Sequence, residues 1–147
     1  MEFSNMGKYL AVACTTAQKS KTIVKIFDMT DLKSEQPLVI LRGHFDLIHD
    51  INWSKDDNFL VTASADGSAK VWDLTDMENL NAKERLNYTE NDDKFFWTQL
   101  MHPSFVYGAK FYPLPEPAHY VVATACFDQK VRIWLVEKNA GHSSLHM

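Results

Sequence analysis

The chain has 147 residues, room for one domain, and is 46% hydrophobic and 23% charged, which is too apolar for a disordered segment. Its net charge is −4, with a sequence pI near 5.8 and bases scattered along the chain, which argues against a protein that neutralises nucleic-acid phosphates. There is no apolar run of the roughly 18 residues that a membrane-spanning helix needs.

Short β-branched and aromatic runs bounded by polar turn residues dominate the sequence, and helical periodicity is scarce. The N-terminal Met1-Glu2-Phe3-Ser4-Asn5 is polar and acidic, unlike a signal peptide, and Phe3-Ser4 reads as the end of a strand. Further strands are predicted at about 8–14, 22–28, 37–41, 47–53, 58–64 and 68–73, then at 94–100, 105–112, 119–125 and 129–135. Several alternate with the period of two that a half-buried strand shows, with Ile51 and Trp53 on one face and Asn52 on the other. Cys14 and Cys126 stand alone, without a C-x-x-C partner, and so few cysteines fit a reducing cytosolic setting better than a secreted one.

Laid upon itself, the chain repeats. His44 matches His102, Ile48 matches Val106 and Trp53 matches Phe111, all 58 positions apart. Beyond them the spacing is 62: Asp66 matches Asp128, Lys70 matches Arg132 and Trp72 matches Trp134. The extra residues fall in the proline-rich stretch 113–118, which suits a loop. A degenerate earlier copy, Val24 to Asp28, echoes Ala69 to Asp73 at a spacing of 45.

A repeat of about 40–45 residues with four strands and Gly-His and Trp-Asp marks is the WD40 pattern. Here Gly43-His44, Asp66-Gly67 and Trp72-Asp73 carry it, and residues 43–73 resemble that family closely. The resemblance implies an all-β, WD40 β-propeller chain of about three blades, one four-stranded sheet each, arranged around a channel. Blade one is expected at about 3–42, blade two at 43–101, blade three at 102–138, and a polar tail at 139–147. Closed propellers have about four to eight blades, so further blades or other chains are expected to complete this one.

Residues 75–94 interrupt the period. Asp76, Glu78, Glu84, Glu90, Asp92 and Asp93 outnumber Lys83, Arg85 and Lys94, a net of −3 in one loop. A solvated insertion explains this; the functional alternative is an acidic contact for a basic partner. Phe95-Phe96-Trp97 follows. Three consecutive aromatics cannot share one strand face, so at least one is expected to be exposed or covered by a partner.

His44, Ser64 and Asp66 have the residue types of a hydrolytic triad, but no Gly-x-Ser-x-Gly elbow surrounds Ser64. The family resemblance implies instead a buried structural tetrad of His44, Ser64, Asp66 and Trp72 in blade two. Its counterpart in blade three is His102, Cys126, Asp128 and Trp134, where sulfur would make a weaker network. The five glycines never cluster into a phosphate loop, and His49 and His119 lack thiolates or carboxylates at ligand spacing. No catalytic residue, cofactor or metal is expected.

Two stretches, Gly43 to Asp57 and His102 to Pro113, go beyond the general pattern and resemble a ciliary branch of the WD40 family, notably in Trp53-Ser54-Lys55-Asp56-Asp57 and in His102-Pro103-Ser104-Phe105-Val106-Tyr107. That resemblance implies a non-enzymatic scaffold of the basal body and transition zone, with protein partners. The alternative is a generic WD40 platform or a substrate receptor of a cullin ubiquitin ligase. Such receptors often end a blade with Trp-Asp-x-Arg, whereas this chain reads Trp72-Asp73-Leu74-Thr75.

Overall fold

A computed structural model describes residues 1–17, 21–79, 94–114, 118–138 and 144–146. Among the described residues, twelve strands form three antiparallel sheets, each ordered as in the chain. The first holds β1 (Glu2–Phe3), β2 (Tyr9–Thr15), β3 (Thr22–Asp28) and β4 (Val39–His44). The second holds β5 (Ile48–Trp53), β6 (Phe59–Ser64), β7 (Ser68–Asp73) and β8 (Phe96–Met101). The third holds β9 (Val106–Phe111), β10 (His119–Cys126), β11 (Val131–Glu137) and β12 (Ser144–His146). A single 3-10 turn, Met77–Asn79, is the one helical element among the described residues.

Two strands differ from the sequence expectation. Residues 144–146, expected in a polar tail, pair with β11, with Leu135 opposite Leu145, and make the outer strand of the third sheet. The strand expected at 37–41 instead runs from Val39 to His44, so Gly43-His44 ends the outer strand of the first sheet. Most of the expected acidic loop, 80–93, lies outside the described residues. Its start does not: Met77 is buried, and Glu78 bonds Lys8 and Tyr9 of the first sheet.

The sheets stack in sequence, and the core lies in the seams between them. Tyr9, Ala11, Val24 and Ile26 of the first sheet pack on Ile51, Trp53, Leu60 and Trp72 of the second. On the other face of the second sheet, Phe59, Val61, Ala63, Ala69 and Val71 pack on Val106, Phe111, Val122 and Trp134 of the third. Strand alternation produces this division: even and odd positions of β6 serve different neighbours, and all six residues are buried, as in a strand covered on both sides.

Turns repeat along with the strands. Ser54 N–H bonds the Phe59 carbonyl (2.8 Å) and Phe59 N–H bonds Ser54 Oγ (2.9 Å). Ser4 and Tyr9 make the same pair of bonds, 50 positions earlier. The left-handed residue of this turn is Gly7 (φ 72°) in one copy and Asp57 (φ 60°) in the other. Asp57 is held there because its carboxylate accepts from the Asn5 and Met6 backbone N–H groups across the seam.

Gln129 (φ 68°) sits at the position of Gly67 (φ 86°), and its N–H bonds the Cys126 carbonyl. A left-handed non-glycine residue costs about 1–2 kcal/mol, while the added chain entropy of glycine costs about 0.5–1 kcal/mol. Gln129→Gly is therefore expected to raise stability by about 0.5–1 kcal/mol in urea unfolding. A loss would show that the glutamine side chain matters.

Candidate functional site

The polar groups buried at the seams form two hydrogen-bond chains. In the first, the Trp72 indole N–H donates to Thr62 Oγ1 (3.1 Å), which stands 2.6 Å from His44 Nε2. His44 Nδ1 lies 2.7 Å from Asp66 Oδ2. Asp66 also accepts from the Phe45 N–H and from the N–H and hydroxyl of Ser68. Burial is the largest influence on His44 and holds its pKa below the ordinary value, against the pull of Asp66. The ring is then neutral, and every polarity agrees: indole N–H to Thr62, Thr62 O–H to Nε2, Nδ1–H to the carboxylate. Burial pushes the Asp66 carboxyl up, but the bonds from His44 and Ser68 outweigh it and hold the group well below the usual carboxylate range.

The hydroxyl in this chain belongs to Thr62, not to the expected Ser64. Hairpin register decides between them. Trp72 lies opposite Leu60 and Lys70 opposite Thr62, so Thr62 is a diagonal neighbour of the indole. Ser64 is four residues from Leu60, about 13 Å along a strand. Its hydroxyl donates to the Asp46 carbonyl (3.2 Å) and accepts from the Asp66 N–H (3.1 Å), tying the strand end to the preceding loop.

The same correction applies in the third sheet. Trp134 donates to Thr124 Oγ1 (2.8 Å), which stands 2.7 Å from His102 Nε2. Cys126 instead points its sulfur at the Ser104 carbonyl (3.5 Å), repeating the contact of Ser64, so sulfur does not weaken this network. Asp128 does not join it: His102 Nδ1 meets the Leu100 carbonyl (2.9 Å), and the Asp128 carboxylate holds Arg132. The first sheet has Val12 and Phe27 at the positions of Thr62 and Trp72, and so has neither the hydroxyl nor the indole.

Both histidines reach across a seam. His44 ends the first sheet and bonds side chains of the second; His102 follows the second and bonds side chains of the third. The arrangement fixes neighbouring sheets, and the hydroxyl that meets His44, on Thr62, is fully buried and also takes the Trp72 N–H. Ser64 is buried with its hydroxyl on a carbonyl, away from His44. Among the described residues no three His, Cys, Asp or Glu side chains group as a metal would require. Nor is any helix there long and apolar enough to cross a membrane.

A family model described as WD domain, G-beta repeat, matches residues 35–73. Over 93% of its length the chain is 36% identical to jouberin from Mus musculus, and equally so to jouberin from Rattus norvegicus. It spans 11% of the length of these relatives. The chain belongs to the WD40-repeat family. Its fold matches the β-propeller domain of Cps50 (Swd1) from Myceliophteria thermophila with a TM-score of 0.67, at 20% identity, covering 99% of this chain and 35% of that one. The three sheets are thus blades of a partial propeller.

In this WD40 chain the aromatic run is consumed by the blades themselves. Phe95 is buried in the first seam, and Phe96 packs there on Trp72. Trp97 turns to the second seam, edge-on to Phe59, and donates to the Glu137 carbonyl (3.2 Å). A bulge allows this: Val71 lies opposite Thr98 and Trp72 opposite Phe96, so Trp97 is the extra residue of β8. None of the three is among the exposed large apolar residues: the first blade covers Phe95 and Phe96, and the third covers Trp97.

Exposed aromatics lie elsewhere, at positions the sequence did not mark. Tyr107 packs on His49 of the neighbouring blade and on Phe105 and Phe127, their ring centroids 5.1–6.5 Å apart. Phe105, Tyr107 and Phe127 remain 46–61% exposed. The signal was the alternation Phe105-Val106-Tyr107, in which Val106 is fully buried and its neighbours must face the other way.

The pH response follows from His44. Unfolded, the imidazole takes a proton near 6.5; folded, it resists until a lower pH. The unfolded state thus binds more protons below that value, and stability is lost as pH falls. The lowered Asp66 pKa acts in the same direction below about 4. Between pH 7 and 5 the stability of the native chain is expected to fall more steeply than that of His44→Gln, measured by urea unfolding at each pH. Parallel profiles would contradict it.

Proposed function

We propose that this chain is part of a jouberin-like, non-enzymatic scaffold that assembles proteins at the ciliary basal body and transition zone, within a complex that gates entry to the cilium. The observation that carries the reading is the 36% identity to jouberin over nearly the whole chain. That identity runs through both seams rather than through the 39-residue repeat 35–73 alone. Supporting the non-catalytic part, the polar side chains that resemble a triad are bound into the seams. The exposed rings of Phe105, Tyr107 and Phe127 offer a surface of the kind that binds proteins.

The test is localisation of the tagged protein in ciliated cells together with proximity labelling. Enrichment at the ciliary base, with transition-zone proteins labelled, is the expected result. A uniform cytoplasmic distribution with cullin adaptors labelled instead would overturn it in favour of a ubiquitin-ligase receptor.

A further inference from the structure

At the foot of each seam, the loop between the first two strands of one blade faces the next blade. The loops from Ser4 to Tyr9 and from Ser54 to Phe59 close with the same pair of bonds, so Lys55 and Asp56 hold the places of Asn5 and Met6. In the first seam the Asn5 and Met6 N–H groups donate to the two oxygens of one carboxylate, Asp57 (2.7 and 2.9 Å). The Asn5 side-chain amide adds a third bond (2.7 Å). Successive backbone N–H groups turned towards one anion make a nest. In the second seam the chain answers differently. Counted at the spacing of 62, the place of Asp57 is taken by His119. Among the described residues nothing accepts the N–H groups of Lys55 and Asp56.

A second acid becomes a base at the same spacing, Asp76 to Lys138. Lys55, His119 and Lys138 line one cleft, with Pro113 and Leu114 as an apolar wall. Lys55 is exposed, and Lys138 lies over the Tyr120 ring (4.5 Å). The acid that remains there, Asp56, is engaged by the Ser54 hydroxyl (2.6 Å), the Asn58 N–H (3.1 Å) and the Tyr120 hydroxyl (2.6 Å). Both blades that form this cleft lie within the chain. In the third blade Pro113 stands at the place of Asn5 and Lys55, and proline has no N–H to offer.

We infer that the Lys55–Asp56 loop, flanked by Lys55, His119 and Lys138, binds a carboxylate carried by an acidic segment of a protein partner. The first seam supplies that group from within; the second presents the same two N–H donors among bases. Two parallel bonds to two oxygens suit a planar carboxylate, and the wall of Pro113 and Leu114 suits an apolar neighbour in the partner segment. Lys55 is an exposed charge, so its attraction weakens with salt. The inference is independent of the ciliary reading.

The test is fluorescence anisotropy of the protein with a labelled peptide of repeated Gly-Leu-Asp units at low salt. Saturable binding is expected, and its loss when the peptide is Gly-Leu-Asn. Lys55→Gln removes the charge and keeps the N–H; Lys55→Pro removes both, with the residue that the third blade carries at this place. The proline variant is expected to bind about tenfold more weakly than the glutamine variant, the scale of one hydrogen bond to a charged group. His119→Asp restores the carboxylate of the first seam and is expected to abolish binding by filling the nest from within. Lys130→Glu, at an exposed base elsewhere, is expected to leave the affinity unchanged. Far-UV circular dichroism and urea unfolding check that each variant keeps its fold. Equal affinity for the Asp and Asn peptides overturns the inference, and so does a folded His119→Asp that binds like the native protein. Displacement of the peptide by inorganic phosphate at lower concentration than by acetate also overturns it, in favour of a phosphoryl ligand.

Discussion

Replacing His44 with alanine is expected to cost about 3 kcal/mol of folding stability, near the lower end of what breaking a buried paired group costs. The ring is 3% exposed and joins two buried partners, Thr62 and Asp66, from one side of a seam to the other. Its loss leaves the Thr62 hydroxyl with only the longer bond to the Lys70 carbonyl (3.5 Å) and removes the ring from its edge-on packing against Trp72. Asp66 keeps Ser68 and the Phe45 N–H, which limits the damage. For a chain of this size the loss corresponds to a fall in Tm of roughly 6–12 °C. Combined with Trp72→Phe, the cost should fall well short of additive, because both changes break one chain of bonds. A His44→Ala loss under about 1 kcal/mol would contradict the network.

Phe59→Ala is expected to cost at least as much, about 3–5 kcal/mol. Phe59 is 4% exposed and sits between Tyr120 (ring centroids 4.4 Å apart) and Trp97 (5.8 Å) in the second seam. Tyr120 cannot follow into the gap without giving up its hydrogen bond to the Asp56 carboxylate (2.6 Å), which anchors it on the far side of the seam. That bond, with burial as the larger cause, also raises the Tyr120 hydroxyl above its ordinary pKa. The contrast is Phe45→Ala, at a ring 72% exposed, which should stay within about 0.5 kcal/mol. Chemical denaturation of both variants checks the pair; equal effects would mean that the seam is not where stability resides.

Much of the fold was legible because strand periodicity and the repeat reinforce each other. Matching Trp72 to Trp134 aligned two sheets before any register was known, and Phe3-Ser4 was readable as a strand end. The pairing of 144–146 was not, since three polar-flanked residues have no periodicity; only the edge of β11 fixes them. The site was half legible. His44, Asp66 and Trp72 were identified by type, but Ser64 and Thr62 lie on the same strand face, so alternation cannot separate them. Counting back from the Asp66-Gly67 turn to the residue diagonal to Trp72 would have done so. Asp128 was misjudged for a different reason: the sequence match with Asp66 holds, but Arg132, in place of Lys70, draws the carboxylate away from His102. The Phe95-Phe96-Trp97 run could be reconciled with burial only by a bulge, which no local pattern announces.

The histidines at the ends of β4 and β8 have a practical corollary for anyone dividing the chain. A cut at residue 45 follows the visible sheet boundary and looks clean, yet it strips His44 from the piece that contains Thr62, Asp66 and Trp72. A cut at residue 43 splits the first sheet's outer strand but carries the histidine along with its partners. Any excised, shuffled or transplanted segment should therefore begin ahead of the Gly-His pair: what must travel together is set by chemical partnership rather than by the outline of the sheets.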